Sequence, residues 1–177
     1  MKDVDQTEAG RRRVELRRVQ PTDEPFLYEV YCGTRRDEIA AWGWPEPQQD
    51  MFLKMQFRGL QQNYGSQPDI TDDRIILSEG QTPVGRIIVL RTDKEICLAD
   101  ISLLPENRGH GIGTKLIREL FDESDSTNRP VTLHVEKNNS GARRLYDRLG
   151  FKAIADAGIH YKMERRSQPQ LQGDENV

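Results

Sequence analysis

The chain has 177 residues, 35% of them hydrophobic and 31% charged, which fits one globular domain with its own core. Its net charge of −3 argues against a general nucleic-acid-binding surface, which needs a clear basic excess. No apolar run reaches the roughly 18 residues that span a bilayer and no signal-peptide pattern is present, so we expect a cytoplasmic protein that binds no membrane. Cys32 and Cys97 both fall within apolar patterns, which favours reduced thiols over a disulfide.

The two ends of the chain differ in composition from its centre. Residues 1–12 and 167–177 are polar and contain few large apolar side chains, which predicts flexible tails. A single domain is therefore expected over residues 13–166. The alternation of apolar and polar residues over 14–19 predicts a half-exposed first strand.

Helical patterns follow this strand. Thr22 is a suitable N-cap for a helix beginning at Asp23, and a short second helix is expected over residues 36–42. A third helix should begin after Pro47. Its apolar face is predicted to consist of residues at roughly helical spacing, namely Met51, Phe52, Met55, Leu60 and Tyr64.

The periodicity then changes to that of strands. Strands are predicted at 74–78, 83–90, 95–104, 131–135, 151–154 and 159–164, with helices from Ile112 and over 140–149. This order predicts an α/β protein of the α+β type. We expect a mixed, mostly antiparallel sheet of about six to seven strands with helices on both faces.

A glycine-rich turn, residues 108–113, joins the fourth predicted strand, over 95–104, to the helix that begins at Ile112. Free backbone amides at a helix start, the helix dipole and the Arg108 guanidinium together predict a site for a phosphate or pyrophosphate. The turn is not a Walker loop, because Gly113 is followed by Thr-Lys rather than Lys-Ser/Thr. It is not a dinucleotide fingerprint, because the sixth position counted from Gly109 is Thr114.

The spacing of this turn resembles the acetyl-CoA pyrophosphate loop of the GNAT superfamily of N-acetyltransferases. The family pattern, Gln/Arg-x-x-Gly-x-Gly/Ala, is matched by Arg108, Gly111 and Gly113. A second block over residues 139–151 resembles the family's Asn-x-x-Ala-x-x-x-Tyr-x-x-x-Gly-Phe segment. The resemblance covers roughly residues 74–165 and implies the family fold, with acetyl-CoA as co-substrate.

The resemblance also implies a set of cofactor-binding residues. The pyrophosphate would be held by the loop and helix start: Arg108, Gly109, His110, Gly111, Ile112, Gly113 and Thr114. The main chain of Ile101 and Leu103 would pair with the pantetheine arm, and an N–H near Ile101 would donate to the thioester oxygen. Asn139 is expected to cap the helix that follows it, and a contact with the CoA arm is an open second role.

Two residues are candidates for proton transfer. Tyr146 aligns with the general acid of the family, although its helical spacing also suits simple packing. Asp100 is the first candidate for the general base, because an unpaired charge within an apolar strand is costly. It can equally be the partner of a loop amide or of Arg86, and Glu136 and His134 are held in reserve.

The acceptor pocket is expected from the N-terminal helices and the last strands. Trp42, Trp44, Gln56 and His160 are candidates to line it, although the tryptophans can equally cover the edge of the core. We expect transfer of an acetyl group to a primary amine of a small molecule or peptide, by direct attack in a ternary complex. Alternatives are a protein N-terminal or lysine acetyltransferase and a non-catalytic acyl-CoA sensor. The histidines lack metal-ligand spacing, so no metal is expected, and either a monomer or a homodimer fits the sequence.

Overall fold

The computed structural model describes residues 13–66 and 71–168. The predicted tail over 1–12 lies outside the described residues, as does the tail over 167–177 except for its first two residues. Those two are tied to the third helix: Ser167 Oγ donates to Asn128 Oδ1 and the Gln168 amide to Asp125 Oδ1, both at 2.7 Å.

The element order agrees with the sequence pattern. The strands are β1 (Glu15–Arg18), β2 (Thr71–Ser78), β3 (Thr82–Arg91), β4 (Ile96–Leu103), β5 (Val131–Glu136), β6 (Lys152–Ala157) and β7 (His160–Arg165). The longer helices are α1 (Glu24–Ala40), α2 (Glu46–Gly65), α3 (Ile112–Thr127) and α4 (Ser140–Arg148). Across the described ranges, no helix is long and apolar enough to cross a membrane.

Within the described residues these strands form one seven-stranded sheet in the order β1-β2-β3-β4-β5-β7-β6. Its neighbouring strands pair antiparallel, apart from β4 and β5, which run parallel. The predicted fold class, a mixed and mostly antiparallel sheet, is therefore confirmed.

Helices cover both faces of the sheet because successive residues of a strand point to opposite sides. On one face, Ile76 and Leu98 pack in the main core with Leu116 of α3 and Tyr146 of α4. On the other, residues adjacent to Ile76 form a second cluster with α1 and α2, made of Ile75, Leu77, Leu27 and Phe57. Burial of these apolar side chains, at about 25 cal/mol per Å², is the main stabilisation of the three layers.

Two predictions for the first helices are wrong. No separate helix covers 36–42, because α1 continues without a break to Ala40. The turn that follows α1 contains Gly43, which has a φ of 71°. Thr22 does not cap α1 but lies within the 3-10 turn Pro21–Asp23. The carboxylate of Asp23 stabilises this turn by accepting from the Gln20 amide at 2.8 Å.

The predicted apolar face of α2 is also partly wrong. Met51 and Met55 are 68% and 59% exposed, while Leu53 and Phe57 are each 3% exposed. Leu53 and Phe57, four residues apart, belong to the core clusters, so their side of α2 rather than that of the methionines meets the core. The methionines therefore lie on the outer side of α2.

The sheet splits between β4 and β5. Their pairing runs only from Ile96↔Val131 to Leu98↔Leu133, although β4 continues to Leu103 and β5 to Glu136. The separation begins at a bulge: Leu98 pairs with Val89 and Asp100 with Ile88, which leaves Ala99 without a partner on β3. The two strands therefore present facing edges that are not bonded to each other.

Candidate active site

Beyond Leu98, the edge of β4 that faces the split is paired with no other strand among the described residues. The Leu104 amide donates to Val84 O of β3 at 3.0 Å. Since the backbone groups of successive strand residues point to alternate edges, those of Ile101 and Leu103 are directed toward the split. An extended ligand can therefore pair with them as an added strand.

The glycine-rich loop lies at the end of β4 and leads into α3. Gly109 and Gly111 have φ angles of 76° and 79°, in the region that residues with a Cβ rarely adopt. Gly111 is the N-cap of α3 and supplies no side-chain cap, and the first turn contains no acidic residue. The amides of Ile112, Gly113 and Thr114 therefore precede the first possible helical acceptors and form an anion-binding end of the helix.

Arg108 ties this loop to two other elements. Its Nε donates to Leu103 O at 3.0 Å and its Nη2 donates to Gly33 O of α1 at 2.8 Å. His110, the next side chain along the loop, is exposed. The guanidinium charge stays beside the loop, while two of its N–H groups position the loop relative to β4 and α1.

Asp100 lies directly after the bulge at Ala99. Its carboxylate accepts from Ser102 Oγ at 2.9 and 3.1 Å. Burial is the main cause that raises the pKa of Asp100, against the hydrogen bond from Ser102 and the charge of Arg86, which lower it. The guanidinium of Arg86 itself pairs with Asp73.

Tyr146 projects from α4 into the main core, where it is 9% exposed and its ring meets Phe151 edge to face at 5.7 Å between centroids. Burial raises the pKa of Tyr146 to about 12, and the charge of Asp100 adds to this. The phenol therefore stays protonated at neutral pH. Asp100 and Tyr146, the two candidate proton-transfer groups, are therefore close enough for the charge of one to affect the pKa of the other.

The reserve bases have other surroundings. Glu136 accepts from Arg35 Nη2 of α1 at 2.9 Å, and His134 is exposed. Both lie on the α1 side of β5, since Val135 between them packs in the main core on the opposite face. An ion pair commits Glu136 to a structural contact.

Asn139 caps α4 as the sequence predicts: its Oδ1 accepts from the Ala142 amide at 3.1 Å. Replacing Asn139 with alanine is expected to lower the free energy of unfolding by about 1 kcal/mol, because one helix-end amide loses its acceptor. Chemical denaturation measures this, with the neighbouring exposed Asn138→Ala as the control. An unchanged midpoint for Asn139→Ala would contradict the capping role.

The structure brings the two tryptophans together. The ring centroids of Trp42 and Trp44 are 5.1 Å apart, and those rings lie 5.5 and 5.6 Å from Phe52. Phe52, which the sequence reasoning did not connect with them, packs on the small core of Cys32 and its neighbours. Trp42 and Trp44 remain 44% and 37% exposed, so they cover this core and still present aromatic surface.

The other two predicted pocket residues lie on separate elements. Gln56 is exposed on α2, and His160 begins β7, where it pairs with Glu136 of β5. Glu136 also forms an ion pair with Arg35, so the start of β7 is linked to α1 through β5. This arrangement places His160, but not Gln56, next to an element that borders the split.

The sequence reasoning missed the residues that surround Asp100. Ser102 is its hydrogen-bond donor, and the Tyr64 ring of α2 lies 5.8 Å from the Arg86 guanidinium. The sequence contains a sign of the bulge that precedes Asp100. The apolar core positions change phase from Ile96 and Leu98 to Ile101 and Leu103, which is the pattern of a strand with one inserted residue.

A sheet that splits beside an uncapped helix end is an arrangement able to accommodate an extended ligand with an anionic group. Comparison with known proteins agrees with this arrangement. The model of the acetyltransferase (GNAT) family matches residues 27–151, more than half of the 177-residue chain. The chain belongs to this family and is an acyltransferase.

The solved structures most similar in fold include two from this family. The PaiA N-acetyltransferase of Thermoplasma acidophilum, in complex with coenzyme A, aligns with a TM-score of 0.67, 20% identity, and coverage of 87% of this chain and 99% of that one. The spermidine N-acetyltransferase of Vibrio cholerae, in complex with CoA and spermine, aligns with a TM-score of 0.60 and 18% identity. This alignment covers 87% of this chain and 95% of that one. At these identities the likeness shows the fold.

A curated relative matches in part. A 5-NmdU N-acetyltransferase of Pseudomonas phage PaMx11 is 38% identical over 63 residues. The match spans 36% of this chain and 44% of the relative, less than half of its length.

Proposed function

We propose that the protein transfers the acetyl group of acetyl-CoA to a primary amine of a small molecule or peptide, within a ternary complex. The observation that carries this proposal is the split between β4 and β5, with an edge of β4 that no strand pairs with among the described residues, an uncapped helix end beside it and Asp100 directly after the bulge. These features supply an anchored donor and groups for proton transfer. The cytoplasm is the proposed compartment, and a monomer or homodimer the proposed assembly.

Acetyl-CoA fits the donor side of the split. The amides of Gly109, Gly111, Ile112 and Gly113 would hold the pyrophosphate, with Arg108, His110 and Thr114 bordering it. Ile101 and Leu103 would pair through their main chains with the amide groups of the pantetheine arm. Asn139, whose Oδ1 already caps α4, would border the same arm.

The chemistry follows from two acids of raised pKa, the half-buried Asp100 and the buried Tyr146. Asp100 takes one proton from the acceptor's ammonium group, and the neutral nitrogen attacks the thioester carbonyl carbon. An N–H of β4 near Ile101 stabilises the oxyanion. The carbon–sulfur bond then breaks and Tyr146 protonates the departing thiolate. The new amide nitrogen gives its surplus proton to water, and water returns a proton to the Tyr146 phenolate.

Acceptor recognition is proposed for the α1 and β7 side of the split. Trp42 and Trp44 offer aromatic surface at the turn between α1 and α2, and His160 lies beside Glu136 at the end of β5. We keep Gln56 as a proposed pocket residue, although it is exposed on α2 rather than next to an element that borders the split. Aromatic faces attract ammonium groups by cation–π interaction, which suits an amine acceptor.

Donor binding is tested at Gly111. Gly111→Val is expected to abolish measurable binding of acetyl-CoA, because a branched side chain strains the positive φ and projects into the loop where the pyrophosphate would lie. Isothermal calorimetry measures this. Gly80→Val is the matched control, since Gly80 has a φ of 72° and, like Gly111, nothing within 4 Å of an added Cβ, but lies in the β2–β3 turn. Equal affinities of the two variants would contradict the loop assignment.

The acceptor is tested with a panel of amines. Thiol release from acetyl-CoA is measured with spermine, with 5-NmdU and with peptides that carry a free N-terminus or a lysine. Spermine and 5-NmdU are included because similar proteins bind or act on them. Turnover with peptides alone favours a protein acetyltransferase, and binding of acetyl-CoA without turnover favours an acyl-CoA sensor.

A further inference from the structure

Arg86 lies within reach of two carboxylates on the same face of the sheet. Ile88 of β3 pairs with Asp73 on one side and with Asp100 on the other. Arg86 is two residues away from Ile88 on β3, so it points to the same face and lies diagonal to both aspartates. Long side chains reach such diagonal neighbours across a sheet.

In the structure Arg86 is bound to Asp73. Its Nε donates to Asp73 Oδ1 at 2.9 Å and its Nη2 to Oδ2 at 2.6 Å, a bidentate pair. The arginine is 5% exposed, so water does not compete strongly for its donors. Asp100 instead accepts from Ser102 Oγ.

The other titratable groups around Asp100 are acids. Tyr64 of α2 and Tyr146 of α4 both have their pKa raised to about 12, mainly by burial, and both sense the charge of Asp100. Cys97, on the same strand as Asp100, has its pKa raised by burial. The charge of Asp73 raises the pKa of Asp100 and that of Arg86 lowers it. The guanidinium is therefore the cation that can take away the basicity of Asp100.

We propose that Asp73 is a positioning residue, which holds Arg86 in a bidentate pair and so keeps the guanidinium from bonding the Asp100 carboxylate. Asp100 then remains basic enough to accept the proton of the acceptor amine. This inference rests on the proposed role of Asp100 as general base. It assigns a function in catalysis to an ion pair between β2 and β3, neither of which borders the split.

The test measures the titration of Asp100 directly. Protein labelled with 13C at the aspartate carboxyl carbons is titrated by NMR, and the resonance of Asp100 is assigned by its loss in D100N. In Asp73→Asn the freed guanidinium turns to Asp100, and the midpoint of its titration is expected to fall by about 1–3 pH units. The acidic limb of the kcat/KM profile should move in the same direction.

The matched control is Asp72→Asn. Asp72 is adjacent to Asp73, but its carboxylate pairs with Arg74 and with Arg91 at 3.1 Å. Because neighbouring strand residues face opposite sides, this change alters the same strand and the same net charge without freeing Arg86. The titration of Asp100 should stay at its wild-type position.

Arg86→Gln gives a second test that does not depend on Asp73→Asn folding. Without the Arg86 cation, the titration midpoint of Asp100 is expected at or above the wild-type value. Adding Arg86→Gln to Asp73→Asn should reverse the fall in the Asp100 midpoint that Asp73→Asn causes alone. A midpoint that is equal in Asp73→Asn, Asp72→Asn and wild type overturns the inference. A fully active D100N overturns instead the assignment of Asp100 as base, so the two failures are distinguishable.

Discussion

Replacing Tyr146 with phenylalanine is expected to lower kcat by about 10²–10⁴-fold, while the affinity for acetyl-CoA stays nearly unchanged. The variant keeps the ring that packs at 5.7 Å on Phe151 and loses only the hydroxyl. Without that proton donor, CoA must leave as a thiolate. Thiol release at saturating acetyl-CoA and calorimetric titration measure the two quantities separately.

The control for this variant is Tyr31→Phe. Tyr31 also loses a partly buried phenol, but it packs at 5.7 Å on Phe57 in the cluster on the opposite face of the sheet. Its kcat should remain that of the wild type. A wild-type rate for Tyr146→Phe would remove Tyr146 from the mechanism and leave it as a core residue.

The pH dependence gives a further check on the role of Tyr146. Because burial raises the pKa of Tyr146 to about 12, the phenol remains a donor throughout the neutral and moderately basic range. A loss of activity between pH 7 and 10 is therefore expected to arise from another group. The wild type and Tyr146→Phe should then show the same profile shape in this range at different absolute rates.

Local signals predicted much of the fold and the uncapped start of α3 after the glycine-rich turn. Glycines at 109, 111 and 113 between an apolar strand and an amphipathic helix are sufficient to indicate a helix-end anion site, because the geometry depends on adjacent residues. The cap at Asn139 was predictable for the same reason.

Non-local choices were not predictable from such patterns. The length of α1, the outward position of Met51 and the carbonyl partners of Arg108 all depend on which distant surface packs against them. The choice of Arg86 between Asp73 and Asp100 depends on a register that a single inserted residue, Ala99, changes. The sequence therefore indicated which residues lie near the site, but not which of them are bonded to each other.

Replacing Asp100 with asparagine is expected to lower kcat/KM by about 10²–10⁴-fold and at the same time to raise the free energy of unfolding at neutral pH. Asparagine can still accept from Ser102 Oγ, which donates to the carboxylate at 2.9 Å, but it cannot take a proton. The acidic limb that Asp100 contributes to the pH profile should disappear. Asp122→Asn, an exposed position on α3, is the control.

The stability change has a defined sign. Burial raises the pKa of Asp100, so the folded state binds its proton more tightly than the unfolded chain does. Below the unfolded pKa, about 4, the carboxyl is neutral in both states and costs nothing. As the pH rises through the folded pKa the wild type loses stability, and the asparagine variant does not.

Urea denaturation of both proteins across this pH range therefore separates the two roles of Asp100. The stability advantage of Asp100→Asn over the wild type should be absent near pH 3 and grow toward neutral pH. The difference in kcat/KM between the two proteins should grow over the same pH range. A variant that is inactive and less stable would show that the carboxylate is a structural partner. A more stable, inactive variant shows that the fold tolerates a buried charge for the sake of proton transfer.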